Sequence, residues 1–346
     1  MKLMKQSFFD EREQRSINSV GIMLEKLPDF CYDFFIGIEN RTSALTRKNY
    51  AVDLAIFFDY ISGRLKKPVV DITITDLNSV TSMQIEGFLS YLNYYNRGGK
   101  NRKNGEKGKA RKLATLRSFF KFFFNKDMIT ANVASKVDTP KIHQKEIVRL
   151  ETDEVASIIN KAETADGLSA RVKAFNYKTS RRDVALLTLF LGTGIRISEC
   201  VGLDVTDFDF NQNAFKVTRK GGNQTVLYFS NEVACAMKEW LAVRSGLNLA
   251  KDEKAVFISL QNRRISVRAV ENLVKKYAFA TNPLKKISPH KLRSTYGTNL
   301  YRETGDIYIV ADVLGHKDVN TTKKHYAAIS DDMRRRVANK VKLRED

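Results

Sequence analysis

Apolar residues recur at helical spacing through most of the first 135 residues. One such set follows Thr42-Ser43, a typical helix start, and consists of Tyr50, Leu54, Phe57, Phe58 and Ile61. A second predicted helix covers residues 81–95. A third presents one apolar face made of Leu113, Leu116, Phe119, Phe120 and Phe123. Residues 15–135 are therefore predicted to form helices.

The pattern changes beyond this region. Residues 136–149 have no helical period and contain Pro140, which is typical of a linker between domains. Helices are predicted over 152–162 and 183–191, two strands over 214–218 and 224–229, and helices thereafter. The predicted fold class is mainly α: a helical domain (1–138), a linker (139–149) and a mixed α+β domain with a small β-hairpin (150–346).

Composition excludes several classes of protein. A chain of 346 residues, 43% of them hydrophobic, suits two globular domains. The apolar runs are far shorter than the ~20 residues of a membrane helix, and the N-terminus lacks an apolar signal segment. The three cysteines have no metal-site spacing, and all three are predicted to be buried thiols in a reducing compartment. We therefore expect a cytoplasmic protein without a membrane partner.

Half of the net charge of +20 lies in one segment. Residues 97–126 hold 11 Lys and Arg against one acid, beginning in a polar loop over 98–108 and continuing into the helix with the apolar face. A helix that is apolar on one face and basic on the other suits nucleic acid; the alternative is a solvated surface. The predicted DNA contacts are Arg47, Lys48, Lys100, Arg102, Lys103, Lys107, Lys109, Arg111, Lys112 and Arg117.

Four short motifs in the second half of the chain carry candidate chemistry. In order, they are Gly192-Thr193-Gly194-Ile195-Arg196-Ile197-Ser198-Glu199, His290-Lys291-Leu292-Arg293, Leu314-Gly315-His316 and Tyr326. Arginines, histidines and a tyrosine suit an enzyme whose tyrosine attacks a phosphodiester, because guanidinium groups hold phosphate oxygens without losing their charge.

Helix boundaries are predicted beside each motif. The glycines before Arg196 end one helix, and Arg196 and Glu199 share a face of the next, where the carboxylate can hold the guanidinium. Ser288-Pro289 begins the helix of His290 and Arg293, and Gly315 ends the helix that precedes His316. Each motif alone has a structural explanation: a surface ion pair, a capping histidine, a helix end or a packed tyrosine. Their joint occurrence among only four histidines favours a catalytic set.

This set resembles the catalytic domain of the tyrosine recombinases, the Xer and phage integrase family, over about residues 150–330. Residues 20–135 are similar to the family's DNA-clamping core-binding domain. The resemblance implies Arg196 and Arg293 as catalytic arginines, Glu199 as support, His290 and His316 as catalytic histidines, and Tyr326 as nucleophile. It also implies a catalytic lysine in a hairpin turn. Lys220 fits this role best, and Lys216 and Arg219 are nearby alternatives.

Two features depart from the family pattern. Tyr326 follows His316 by ten residues, where nine are expected from the commonest pattern. The hairpin turn is followed by Asn223-Gln224-Thr225, without the second lysine and the arginine that are often found there.

The family implies cleavage of double-stranded DNA at a specific site through a 3′-phosphotyrosine, with no metal, ATP or other cofactor. It also implies a homo-tetramer on synapsed DNA, formed from a protein that is a monomer in solution, and the simple two-domain Xer-like architecture. A C-terminal helix over residues 329–341 is expected to pack either on a neighbouring subunit or on its own domain. The alternatives are a type IB topoisomerase, an architectural DNA-binding protein and a catalytically silent relative.

Overall fold

A computed structural model describes residues 8–143, 149–219, 222–250, 253–316 and 319, and every structural statement below concerns these residues. The chain divides into two compact units, residues 1–145 and 146–346. Within the described ranges, no helix is both long enough and apolar enough to cross a membrane.

The described part of the first unit is mostly helical. Its α-helices are α1 (Phe8–Leu24), α2 (Phe30–Gly37), α3 (Ala44–Leu65), α4 (Ile74–Asn78), α5 (Ser82–Tyr91) and α6 (Glu106–Phe124). Short 3₁₀ helices cover Glu39–Arg41, Val69–Asp71 and Val133–Lys136. Ser43 caps α3 by accepting from the Thr46 N–H, and Thr73 and Thr81 begin α4 and α5 with capping boxes.

Phenylalanine side chains fill the centre of this unit. Phe57 and Phe58 of α3 and Phe119 of α6 are almost completely buried, and Phe119 meets Phe34 of α2 edge-on with ring centroids 5.0 Å apart. Such edge-to-face contacts add to the free energy gained by burying the rings. The apolar faces predicted for α3 and α6 therefore pack against each other.

A β-hairpin stands where the sequence predicts an unstructured polar loop. Strands β1 (Tyr95–Arg97) and β2 (Lys100–Arg102) pair antiparallel, with Asn96 opposite Asn101. Gly98 and Gly99 form the turn with φ of 60° and 70°, a left-handed pair that a two-residue hairpin turn requires. The predicted helix over 81–95 consequently ends at Tyr91, and β2 lies within the polar loop predicted over 98–108.

The second unit combines helices with a three-stranded sheet. Its described α-helices are α7 (Thr152–Thr164), α8 (Ala170–Thr193), α9 (Ile197–Gly202), α10 (Asn231–Ser245), α11 (Val267–Thr281), α12 (Pro289–Thr304) and α13 (Ile307–Leu314). A 3₁₀ helix covers Val205–Asp207. The strands β3 (Phe208–Asp209), β4 (Ala214–Thr218) and β5 (Gln224–Tyr228) form an antiparallel sheet in sequential order. The mainly α fold class, with small antiparallel sheets, is thus confirmed.

Helix α8 lies at the centre of this unit and packs against α7, α10 and α12. Its second half carries the fully buried Leu186, Leu187, Leu189 and Phe190, which were predicted as a buried helix. The helix begins 13 residues earlier than predicted, because a polar first half (Ala170–Arg182) continues the same helix. Cys31 and Cys200 are buried as expected, but Cys235 is exposed on α10, so the prediction of three buried thiols is wrong for Cys235.

Candidate active site

Arg196 lies at the junction between α8 and α9. Gly194 ends α8 in the left-handed conformation (φ 61°), and a side chain there would collide with Tyr296 and Leu314. The chain turns and begins α9 with Arg196 as its N-cap residue. The Arg196 N–H donates to Glu199 Oε2 (3.0 Å) and Arg196 Nη1 donates to Oε1 (2.8 Å). Glu199 is buried, so this carboxylate fixes the guanidinium, as the spacing predicts.

Arg293 reaches the same junction from α12. Pro289 opens this helix after Ser288, which agrees with the predicted start. Arg293 is buried and donates from Nη1 to the Gly194 carbonyl (2.5 Å) and from Nη2 to the Leu314 carbonyl. His290 lies one turn earlier on α12 and is exposed. The second arginine is therefore anchored in the protein, whereas the histidine faces outwards.

Helix α13 brings His316 to the arginines. Asp306 caps its start by accepting from the N–H groups of Tyr308 and Ile309, and Gly315 ends it with φ 59°. The His316 N–H donates to the Ala311 carbonyl (2.9 Å), a bond typical of a glycine-terminated helix. Arg196 Nη2 donates to the Gly315 carbonyl (2.8 Å). The carboxyl end of α13 thus connects Arg196, Arg293 and His316.

Arg219 is a third arginine at this helix end. It follows β4 and donates from Nη2 to the Val313 carbonyl (3.0 Å). Burial lowers the pKa of its guanidinium, Glu199 opposes that shift, and Arg196 adds to it. The sequence suggested Arg219 only as an alternative for the hairpin lysine. The other alternative, Lys216, is exposed on β4. The sequence did not predict that Arg219 contacts the end of α13. The one signal for it was a second cation directly before Lys220.

This cluster is suited to an oxyanion. Arg196 and Arg293 both donate to carbonyls at the end of α13, and the Arg196 side chain is 32% exposed. Guanidinium groups in general pair with negative phosphate oxygens, often through two parallel hydrogen bonds. In the described part of the chain, no group of three or more His, Cys, Asp and Glu side chains is arranged to hold a metal ion.

Several predicted residues lie outside the described part of the chain. They are the hairpin residue Lys220, the proposed nucleophile Tyr326 and the expected C-terminal helix over residues 329–341.

The predicted DNA contacts divide into two groups. Lys100, Arg102, Lys103 and Lys107 are exposed on β2 and at the start of α6. Lys48 and Lys109 are half-buried, and Lys109 Nζ donates to Asn93 (2.6 Å). Arg111 is exposed, but its guanidinium donates to both carboxylate oxygens of Asp53.

The other group makes contacts within the first unit. Arg47 is buried and donates to the carbonyls of Glu39 and Thr42 (2.9 and 2.8 Å). Lys112 is buried beside Asp53, 3.4 Å from its carboxylate. Arg117 donates to the carbonyls of Ala134 and Val137 and to Thr139 Oγ1. Arg47, Lys112 and Arg117 are therefore engaged in contacts within the first unit, and their part in DNA binding stays a prediction.

Comparison with known proteins decides the family. The profile described as "Phage integrase family" matches residues 148–333. The chain belongs to the phage integrase family. It is 32% identical over 324 residues to tyrosine recombinase XerC of Caldanaerobacter subterraneus subsp. tengcongensis, covering 91% of this chain and 86% of the relative. It is 30% identical to the XerC of Syntrophus aciditrophicus, covering 86% and 92%. The resemblance drawn from the motifs is confirmed.

Solved structures of a site-specific recombinase and of an integrase share the fold. XerH bound to its palindromic difH substrate, in a post-cleavage complex, covers 86% of this chain and 80% of its own with TM-score 0.65 and 18% identity. A λ integrase tetramer bound to a Holliday junction covers 86% and 76% with TM-score 0.59 and 16% identity. The family makes this protein a site-specific tyrosine recombinase, and a type IB topoisomerase is not favoured.

Proposed function

We propose that this recombinase cuts a DNA strand when Tyr326 attacks a phosphodiester held by Arg196 and Arg293. The observation that carries the proposal is the convergence of both guanidinium groups on the end of α13, beside His316. A phosphoryl-transfer transition state spreads charge over its non-bridging oxygens. Two anchored arginines aimed at those oxygens stabilise that charge without a metal ion or ATP.

In the proposed reaction, the other four side chains each transfer a proton or donate a hydrogen bond. The Tyr326 oxygen forms a bond to phosphorus, and His290 assists removal of its proton. The bond from phosphorus to the 5′-oxygen breaks, and Lys220 protonates the leaving oxygen. His316 donates a hydrogen bond to a non-bridging oxygen. The 5′-hydroxyl of a partner strand then reverses these steps, so the energy of the phosphodiester is conserved in the phosphotyrosine.

The number of strands exchanged determines the proposed oligomeric state. Recombination between two duplexes requires four strand cleavages, and each subunit carries one nucleophile. We therefore propose a homo-tetramer on two synapsed copies of a specific double-stranded site, assembled from monomers by the Xer-like two-domain chain. Because the proposed substrate is double-stranded DNA, the proposed compartment is the cytoplasm.

The first unit supplies a candidate DNA surface on the β1–β2 hairpin and the start of α6. Lys100, Arg102, Lys103 and Lys107 are all exposed there. A two-stranded ribbon has dimensions that fit a DNA groove, and cations along it neutralise phosphates. The paired strands and the Asn96–Asn101 side-chain bond (3.1 Å) hold this surface in one shape before DNA arrives.

Covalent trapping tests the proposal. A nicked duplex carrying the site releases a short 5′-hydroxyl fragment after cleavage, which prevents religation and traps the adduct. The wild-type protein should form an adduct that survives a denaturing gel, and Tyr326→Phe should form none. Arg196→Ala or Arg293→Ala should slow adduct formation by about 10²- to 10³-fold, the usual effect of losing one transition-state donor.

Two outcomes contradict the proposal. If Tyr326→Phe still forms the adduct, the nucleophile is another residue. If the wild type relaxes supercoiled DNA but exchanges no strands between paired sites, the protein acts as a topoisomerase.

A further inference from the structure

The carboxyl end of α13 exposes more carbonyl oxygens than its own helix can satisfy. Two bonds typical of a glycine-terminated helix use the carbonyls of Ala311 and Asp312, which accept from His316 and Gly315. The next three carbonyls accept from three different arginines: Val313 from Arg219, Leu314 from Arg293 and Gly315 from Arg196. Cations are stabilised at this end of a helix, where the backbone dipole is negative.

Arg219 differs from the other two arginines in the element that carries it. Its N–H donates to the Asn223 carbonyl (2.7 Å), and its carbonyl accepts from the Gly222 N–H (3.1 Å). It therefore closes the turn between β4 and β5, and Lys220 is the next residue in the chain. The Arg219 side chain consequently joins the hairpin turn to a helix end 94 residues further along.

The surroundings of the Arg219 side chain are those of an internal contact. The guanidinium lies against Gly315, where even a methyl group would overlap its Nη1 atom. Arg219 Nε is buried and, among the described residues, has no hydrogen-bond partner. Burying a donor without a partner costs free energy, so the contact is maintained by what the rest of the side chain bonds. Glu199 and Asp312 oppose the effect of burial on its pKa.

We propose that Arg219 is a positioning residue: its side chain holds the end of β4 against the helix end that carries His316, and Lys220 is the next residue in the chain. The inference rests on the proposed role of Lys220 as the acid that protonates the leaving 5′-oxygen. A misplacement of about 1 Å in such a group can slow a reaction by about 10²-fold. Arg219 itself touches neither the phosphate nor the leaving group in this proposal.

A change of leaving group isolates this role. In a duplex whose scissile bond runs from phosphorus to a 5′-sulfur, the sulfur leaves as a thiolate, because thiols have a pKa near 8.5 and need no proton from an acid. Lys220→Ala and Arg219→Ala should both slow cleavage of the ordinary 5′-oxygen substrate, by about 10²-fold or more. On the 5′-sulfur substrate, both should cleave within about threefold of the wild-type rate.

Matched variants keep the result interpretable. Arg219→Lys keeps the charge and one donor and should retain more activity on the oxygen substrate than Arg219→Ala. Gln224→Ala changes an exposed residue of the same hairpin and should cleave both substrates at the wild-type rate. The fluorescence of Trp240, which is buried in α10, checks that each variant has a folded second unit.

The outcomes separate the inference from the function on which it rests. Recovery of both Lys220→Ala and Arg219→Ala on the sulfur substrate supports the positioning role. Recovery of Lys220→Ala alone overturns it, because Arg219 would then act on the phosphate or on folding. If Lys220→Ala does not recover, the proposed acid is wrong and the inference falls with it.

Discussion

Asp53 is a buried carboxylate of α3 that organises the start of α6. Arg111 donates to both of its oxygens (2.5 and 2.7 Å), and Thr115 Oγ1 donates to Oδ2 (3.0 Å). Lys112 lies 3.4 Å from Oδ1 with a side chain that is only 5% exposed. Burial lowers the pKa of Lys112, and the Asp53 carboxylate opposes that shift. The charge of Lys112 is therefore compatible with burial because Asp53 is present.

Removal of this carboxylate should destabilise the first unit. Asp53→Ala leaves the Lys112 ammonium buried without its counter-ion, so the free energy of unfolding should fall by about 3 to 5 kcal/mol. Asp59→Ala is the matched control, because Asp59 lies in the same helix and pairs with Arg97 on the surface. Asp59→Ala should lower the free energy of unfolding by less than about 1 kcal/mol. Urea unfolding followed by circular dichroism measures both, and equal costs would contradict the assignment.

The sequence alone did not show which cations of the basic segment bond within the first unit. Lys112 and Arg117 lie in a segment with 11 cations, and composition assigns all of them to one surface. The partner of Lys112 is 59 residues earlier in the chain, and the carbonyl partners of Arg117 come after α6. The local pattern of apolar and polar residues carries no information on partners so distant in the sequence. The contacts of Lys112 and Arg117 are therefore seen only in the folded structure.

At the scale of elements, the turn between α8 and α9 determines where the two arginines that we propose as catalytic lie. Gly194 has the left-handed conformation, its carbonyl accepts from Arg293, and Arg196 follows two residues later. The Cα of Gly194 is so close to α12 and α13 that an added Cβ would lie 2.4 Å from Tyr296 and 2.9 Å from Leu314. The glycine thus allows three helices to meet at one point.

Substitution at Gly194 should therefore cost more than backbone strain. Gly194→Ala combines an unfavourable left-handed alanine with overlap against Tyr296, and it should destabilise the second unit by about 2 to 4 kcal/mol. Gly222→Ala is the control: its φ is 83°, but among the described residues beyond its chain neighbours no atom lies within 4 Å of the added methyl, so only the backbone contribution remains. Trp240, the only tryptophan, reports unfolding of this unit by fluorescence. Similar costs for both variants would show that the junction repacks freely.

Helix ends were predictable where a residue type enforces them. Ser288-Pro289 begins α12 and Gly315 ends α13 as expected, because a proline in the first turn and a left-handed glycine act locally. The β1–β2 hairpin was missed because its strands are three residues long and wholly polar outside Tyr95. The Gly98-Gly99 pair was the available signal, since two adjacent glycines favour a tight hairpin turn.

At the scale of the whole molecule, the two units divide the proposed work. The first holds the exposed cations of the hairpin and α6, and the second holds the arginine cluster. Family membership was predictable from the second unit because four motifs keep their order and context over more than 130 residues. The convergence of three arginines on the end of α13 was predictable only in part. Arg219 belongs to none of the four motifs, and its bond to the Val313 carbonyl is seen only in the structure.

The salt dependence of DNA binding tests the proposed surface of the first unit. Lys100→Gln combined with Lys103→Gln should reduce the slope of log affinity against log salt concentration, by up to about 0.9 per lost phosphate contact. Lys26→Gln combined with Lys66→Gln removes two exposed cations of the same unit outside the basic segment and should leave the slope unchanged. Fluorescence anisotropy over a salt series measures both. An identical slope in the two double variants would make the hairpin a solvated surface only.

The bonds that assemble the arginine cluster also determine when activity can arise during synthesis. Arg196 bonds a residue 119 positions later, Arg293 one 99 positions earlier, and Arg219 one 94 positions later. Such contacts close long loops and form only when both ends have left the ribosome. The hairpin and α6 are complete much earlier. An interrupted translation product therefore possesses the surface proposed to hold DNA but lacks the cluster proposed to cut it, so we expect incomplete chains to leave bound DNA uncut.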